Sequence, residues 1–329
     1  MMNNTLKSQF KVNPGTIIEG KWHKNRYTIL KELGFGANGT VYLAQFRNQH
    51  VALKMSDNGM SVTSEVNVLK SFAKVQGSTL GPSLIDVDDW ERRQKNISFY
   101  VMEYIKGPDL LEFIKQKDQG WIEVLLLQLL NDLNTLHEKG WVFGDLKPEN
   151  LIVTGPPPKI RCIDVGGTTI QGRAIKEFTE FYDRGYWGLG SRKAEPTYDL
   201  FAVGMIIINT AYPKRFNKTS GGINQLRQMI RQKKELLKYE SVLLNALQGK
   251  YNTAKEMRID LLEMMNTQTQ TSKSTRSQQQ VVKKSSSHTT QVNRQTYKKK
   301  RKRGSALETI LIVMVISFLY FLYIYSQVF

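Results

Sequence analysis

The sequence predicts an α+β fold of two lobes, a small sheet-rich lobe and a larger helical one, followed by one C-terminal transmembrane helix. Three observations carry this. Short apolar runs punctuated by glycine fill the first third; apolar residues recur at helical spacing from Asp109 to Met265; and residues 309–329 carry no charge. With 329 residues, 40% of them hydrophobic, the chain can bury a substantial core. The lone cysteine, Cys162, excludes an intramolecular disulfide and fits a reducing compartment. Its place in the apolar run from Ile160 to Val165 predicts a buried strand thiol.

Met1 to Lys11 contains no apolar core run, so no secretory signal is expected there. Residues 1–24 read as an N-terminal extension to a domain over 25–265. Within it, alternation at Tyr27, Ile29 and Leu33, then over Val41–Phe46 and Val51–Met55, predicts a small antiparallel sheet. Ser61–Phe72 has helical spacing, with Val66, Leu69 and Phe72 on one face, and Ile97–Tyr104 reads as a further strand. Helices are expected over Asp109–Lys115, Trp121–Leu136, Asp199–Ala211, Asn224–Lys238, Tyr239–Leu247 and Thr253–Met265. A cleft between two such lobes is the expected ligand site.

At Asn266 the composition turns to Ser, Thr, Gln and Lys, and 266–306 is expected to be a disordered linker. It holds eleven Lys or Arg and no acid, which leaves +7 of the total +18 for everything else. Residues 307–329 read as the transmembrane helix. The uncharged stretch Thr309–Phe329 would be about 31 Å long as a helix, matching a hydrocarbon core of ~30 Å. Tyr320, Phe321, Tyr323 and Tyr325 suit an interface, and Lys298–Arg303 lies just before the span. The positive-inside rule then keeps the body cytoplasmic in a single-pass arrangement at the cell membrane, with the C-terminus outside.

Three motifs carry chemistry. Gly34-Phe35-Gly36-Ala37-Asn38-Gly39-Thr40-Val41 lies between two expected strands, and its glycines let backbone amides approach a polyphosphate. A strand on each side excludes the dinucleotide version, in which a helix follows directly. Val51-Ala52-Leu53-Lys54 puts a lysine in an apolar strand, where its ammonium needs partners; Glu65 on the next helix is the candidate carboxylate. Phe143-Gly144-Asp145-Leu146-Lys147-Pro148-Glu149-Asn150 is followed fourteen residues later by Asp164-Val165-Gly166. An Asp and an Asn five apart, with a second Asp at this distance, suit a hydroxyl nucleophile and two magnesium ions.

On these motifs the chain resembles the eukaryotic-like (Hanks-type) protein kinases, in a short bacterial form with a C-terminal anchor, over about Tyr27 to Met265. The resemblance implies the bilobal protein-kinase fold and transfer of the ATP γ-phosphate to protein Ser or Thr, with Mg²⁺ (Mn²⁺ as an alternative ion). It puts Gly34, Gly36 and Gly39 over the phosphates. Lys54 would hold the α- and β-phosphates and pair with Glu65, and Asp145 would act as catalytic base. Asn150 and Asp164 would bind the metal, and Lys147 would contact the γ-phosphate. Met102-Glu103-Tyr104-Ile105 resembles the hinge, with backbone groups of Glu103 and Ile105 facing adenine and Val41, Ala52 and Ile152 enclosing the ring. Asp199 resembles the aspartate that anchors the catalytic loop from beneath.

Three departures stand out. Gly144 replaces an arginine common beside the base, which removes a partner for a phosphorylated activation loop and predicts that loop phosphate is not the switch. Val165 and Phe143 replace a usual phenylalanine and histidine, a pair of changes that can conserve volume. The usual Ala-Pro-Glu ending of the activation segment is absent from Tyr186–Ser191. None of these removes the lysine, the base or a metal ligand.

The linker has two open readings: a topology signal aided by anionic lipid, at ~1 kcal/mol per charge, or a sequence-independent DNA or RNA site. Its Ser and Thr are candidate autophosphorylation sites. Two whole-protein alternatives also stay open: a small-molecule kinase of related fold, and a catalytically weak scaffold carrying nucleic acid or partner proteins to the membrane.

Overall fold

The computed structural model describes residues 11–36, 39–73, 80–92, 95–117, 120–219 and 221–267. The first lobe is a six-stranded antiparallel sheet in the order β1-β2-β3-β4-β6-β5. Its strands are β1 (Ile17–Glu19), β2 (Arg26–Gly36), β3 (Gly39–Phe46), β4 (Gln49–Ser56), β5 (Leu84–Arg92) and β6 (Lys95–Glu103). Alternation puts Tyr27, Ile29, Tyr42, Leu53, Phe99 and Val101 into one apolar cluster. Helix α1 (Gly59–Ala73) buries Val62, Val66 and Leu69, spaced by four and three residues, together with Phe72. These join the larger core that continues into the helical lobe.

Two features of this lobe differ from expectation. Residues 17–19, read as extension, pair with β2 (Ile18 opposite Tyr27), and Ile18 is fully buried. Strand β5 was not expected at all. Alternation fails there because the inward positions are acidic: Asp86 and Asp88 are buried. They are satisfied by the chain just before β2 and at its start. Asp86 accepts from Tyr27 Oη at 2.5 Å and Asn25 Nδ2 at 2.9 Å, and Asp88 accepts from the backbone N–H of Trp22 and His23. A polar hub has taken positions that an apolar pattern would have filled.

The helical lobe contains α2 (Leu110–Gln116), α3 (Gly120–Glu138), α4 (Pro196–Ala211), α5 (Gly222–Gln232), α6 (Lys234–Leu237), α7 (Glu240–Leu247) and a last helix over 254–267. Helix α4 is buried on nearly every side, as its unbroken apolar run requires. The single helix expected over Asn224–Lys238 is divided, because Lys233 is extended (φ −115°, ψ 114°). Leu226 and Ile230 share a face, but the next in-phase positions are Lys233 and Lys234. A break re-phases the chain so that Leu236 and Tyr239 reach the core.

Two short ladders flank the Asp145–Asn150 and Asp164–Gly166 motifs. Strand β7 (Trp141–Val142) pairs with β10 (Thr169–Ile170), and β8 (Leu151–Thr154) pairs with β9 (Lys159–Cys162). Cys162 is fully buried, and burial pushes its thiol well above the ordinary range. Among the described residues no helix is long and apolar enough to cross a membrane; the expected span at 307–329 lies outside them, as does the linker beyond residue 267.

Candidate active site

A cavity of about 350 Å³ opens between the sheet and the β8–β9 hairpin. It is lined by Gly34, Gly36, Gly39, Val41, Ala52, Lys54, Glu103, Ile105, Asn150 and Asp164, all singled out from sequence. Gly39 has φ +128°, and a Cβ there would stand 2.0 Å from Met55 O, so only glycine fits this close approach to β4. Of the residues expected around the nucleotide, Ile152 alone is not in this lining, where Ile163 is; Glu65, Asp145 and Lys147 also lie outside it. Ile152 packs instead toward Gly107 and bridges to Asp109.

Lys54 is buried on β4, with Nζ 2.6 Å from Glu65 Oε2 and 3.9 Å from Asp164 Oδ1. Burial alone would lower its pKa, but Asp164 and then Glu65 outweigh this and hold it above the ordinary value. Glu65 also accepts from Tyr100 Oη at 2.6 Å and Ser61 Oγ at 3.3 Å, so the carboxylate is satisfied from three sides. Tyr100 and Ser61 were not anticipated. The cavity also holds Glu177, which sequence reading missed. Burial, then the nearby Asp164, push its carboxyl above the ordinary range.

Glu103 commits both carboxylate oxygens to Arg161 at 2.9 Å, and its N–H to Ser83 O. The β8–β9 register, Leu151 opposite Cys162, brings Asn150 beside Ile163, whose N–H donates to Asn150 O at 3.0 Å. A hairpin therefore converts fourteen residues of separation into adjacency. Asn150 Nδ2 donates to Asp145 O at 3.2 Å, which turns its oxygen into the remaining ligand atom. With the half-exposed Asp164 carboxylate this is an oxygen donor set suited to Mg²⁺.

Asp145 is anchored from below. Asp199, fully buried on α4, accepts from the N–H of Phe143 (2.8 Å) and Gly144 (2.9 Å) and contacts His137 Nε2 at 2.8 Å. Lys147 Nζ is 2.5 Å from Asp145 Oδ2. Thr179 Oγ1 donates to Asp145 Oδ1 at 3.0 Å, and Lys147 lies 3.3 Å from the same hydroxyl. Gly144 sits at φ +88°, and a Cβ would meet Gly167 O at 2.6 Å, so this backbone excludes an arginine there. Phe143 and Val165 are buried in one core with Leu69 and Leu80.

The segment after Gly167 closes through contacts of its own. Asp183, fully buried, accepts from Arg192 Nε at 2.8 Å and Tyr198 Oη at 2.9 Å. Arg184 reaches Thr197 Oγ1 (2.6 Å), Glu195 Oε2 (3.0 Å) and Ser191 O (2.7 Å). These stand where an Ala-Pro-Glu ending was sought. The adjacent opposite charges Asp183-Arg184, answered by Arg192 and Glu195, are a signal of this closure in the sequence, beside the scrambled echo Ala194-Glu195-Pro196.

The protein kinase domain model matches residues 27–296. The serine/threonine-protein kinase YabT of Bacillus subtilis is 52% identical, over 98% of this chain and 98% of that protein. A probable serine/threonine-protein kinase of Clostridium perfringens is 32% identical over 41% of this chain and 20% of its own length. Among solved structures, the kinase domain of PknI from Mycobacterium tuberculosis superposes with a TM-score of 0.53 at 16% identity, covering 77% of this chain and 99% of that one, a likeness of fold alone. The chain belongs to the protein kinase family and is an enzyme of its serine/threonine branch.

Proposed function

We propose that the chain transfers the γ-phosphoryl group of ATP to Ser or Thr hydroxyls of proteins, with Asp145 as the base and Lys147 at the transferred group. The observation that supports this most is the Thr179 hydroxyl resting on Asp145 Oδ1 beside Lys147. Asp145 is thereby aimed to accept a hydrogen bond from an aliphatic hydroxyl, as a general base must. Lys54, fixed by Glu65, would hold the α- and β-phosphates, and Gly34, Gly36 and Gly39 would cover them. Mg²⁺, held by Asn150 and Asp164, supplies charge neutralisation on the phosphate oxygens when bound. The test is transfer of labelled γ-phosphate by the full chain and by Asp145→Asn. Label on Ser or Thr that falls by at least about 10²-fold in the variant, with ATP binding retained, supports the reading. Equal label in both sinks it.

The finer readings belong to the same proposal. The Gly144 geometry favours activity without loop phosphate, and phosphatase treatment that abolished transfer would refute this. Anchoring by 307–329 predicts that the chain sediments with membranes and that removal of those residues frees it. The linker at 266–306 is read as a contact for anionic lipid or nucleic acid and as a target of autophosphorylation. A salt-insensitive titration with duplex DNA would remove the nucleic-acid part.

A further inference from the structure

Outside the linker the chain carries +7, and residues 213–238 account for all of it, with eight Lys or Arg against Glu235. Some of this charge serves the fold: Arg231 pairs with Glu240 and Lys238 with Glu123. Of the other six, Lys214, Arg215 and Lys218 lie where the chain leaves α4, and Arg215 reaches the catalytic loop. Arg215 pairs with Glu149, between Pro148 and Asn150, and its guanidinium lies 4.9 Å over the Tyr182 ring. Tyr182 is three residues beyond Thr179, which touches the base. Lys218 Nζ donates to Tyr186 O at 2.7 Å, and Lys214 is exposed on the same loop.

The acid beside the catalytic loop is already engaged, since Glu149 is held by Arg215, and the exposed Glu180 is outnumbered by Lys214 and Lys218. A basic substrate side chain would have to break an ion pair to reach Glu149, while an acidic one meets Lys214 and Lys218. We propose that this rim selects acceptor Ser or Thr lying in an acidic protein segment, with substrate Asp or Glu facing Lys214 and Lys218. The inference rests on the kinase reading above and names its substrate class. Exposed charges act here mainly through steering and partner choice, and salt weakens both.

The test uses the full chain and three short peptides with one central Ser, flanked by Glu, by Gln or by Lys. The Glu peptide is expected to have the highest kcat/KM, with its advantage fading at 1 M salt, where the screening length is about 3 Å. Lys214→Glu combined with Lys218→Glu should raise KM for that peptide roughly tenfold, with kcat unchanged, and favour the Lys peptide. Wild-type preference for the Lys peptide, or a ranking unmoved by the double variant, overturns the proposal. So does a double variant that loses duplex-DNA binding in a gel shift while its peptide kinetics stay the same. If wild type and Asp145→Asn label every peptide equally, the kinase reading has failed. Fluorescence anisotropy of the Glu peptide then decides the surface separately: equal binding by wild type and double variant overturns it, and weaker binding by the variant upholds it.

Discussion

Lys54 in the sheet lobe and Asp183 in the activation segment are both buried charges held by an opposite charge, yet they differ in how their surroundings were built. Lys54 meets Glu65 across eleven residues, on a strand and helix whose apolar faces are regular. Its carboxylate partner is fixed further by Tyr100 and Ser61. Asp183 meets Arg192 and Tyr198 across a loop with little regular structure, and Arg184 beside it repeats the device with Glu195 and Thr197. The first pair sits in the cavity, and the role proposed for it, an ammonium presented to phosphates, restricts its residue types. The second has only to close a loop, and many residue sets can do that. Chemical constraint preserves a motif, while mechanical constraint leaves it free to vary.

The comparison is broken hardest at Lys54. Lys54→Met removes the ammonium and leaves Glu65 buried without it. Phosphate transfer should fall to near background, and the fold should lose about 3–5 kcal/mol in a denaturant titration. If transfer survives, the pair is structural only and resembles the Asp183 clamp after all.

Asp183→Asn should cost less, about 1.5–3 kcal/mol, since Arg192 is half-exposed and recovers water. Its signature is a different one: faster proteolytic nicking of residues 183–195 and a raised KM for protein substrate, with ATP affinity unchanged. A loss of ATP affinity would tie this clamp to the nucleotide cavity and erase the distinction.

The smallest expected effect is at the Asp86 hub, remote from both. Burial pushes the Asp86 carboxyl up, but hydrogen bonds from Tyr27, Asn25 and His23 outweigh it, so its pKa lies below the ordinary value. A depressed carboxylate contributes stability above its unfolded pKa, and that contribution is lost as pH falls through the folded value. Asp86→Asn should therefore lower Tm by about 2–4 °C at pH 7. The difference should close as both proteins are taken below the ordinary carboxylate pKa of about 4. A gap that persists at low pH would assign the effect to packing instead of charge.

Much of this molecule could be read in one dimension. The Gly-rich turn, Lys54, Asp145, Asn150 and Asp164 were legible because the chemistry proposed for them admits few substitutes, and because hairpins and helices keep their spacing. Glu65 and Asp199 were legible through the same resemblance, and the main helices through their apolar period. What escaped were positions defined by a partner distant in sequence. Strand β5 hid because its inward residues are Asp86 and Asp88, whose donors lie some sixty residues earlier. Thr179 and Glu177 looked like ordinary loop residues until the segment folded back over the catalytic floor.

The sequence by itself determined the motifs that meet at the site and most of the helices and strands that carry them, since local backbone preference acts on neighbours along the chain. Tertiary structure alone decided that Ile163 and not Ile152 lines the cavity. It also decided that Gly144 admits no side chain and that Arg215 covers Glu149. Each of these depends on which groups approach across space, and burial and charge pairing are set by that approach and not by sequence distance.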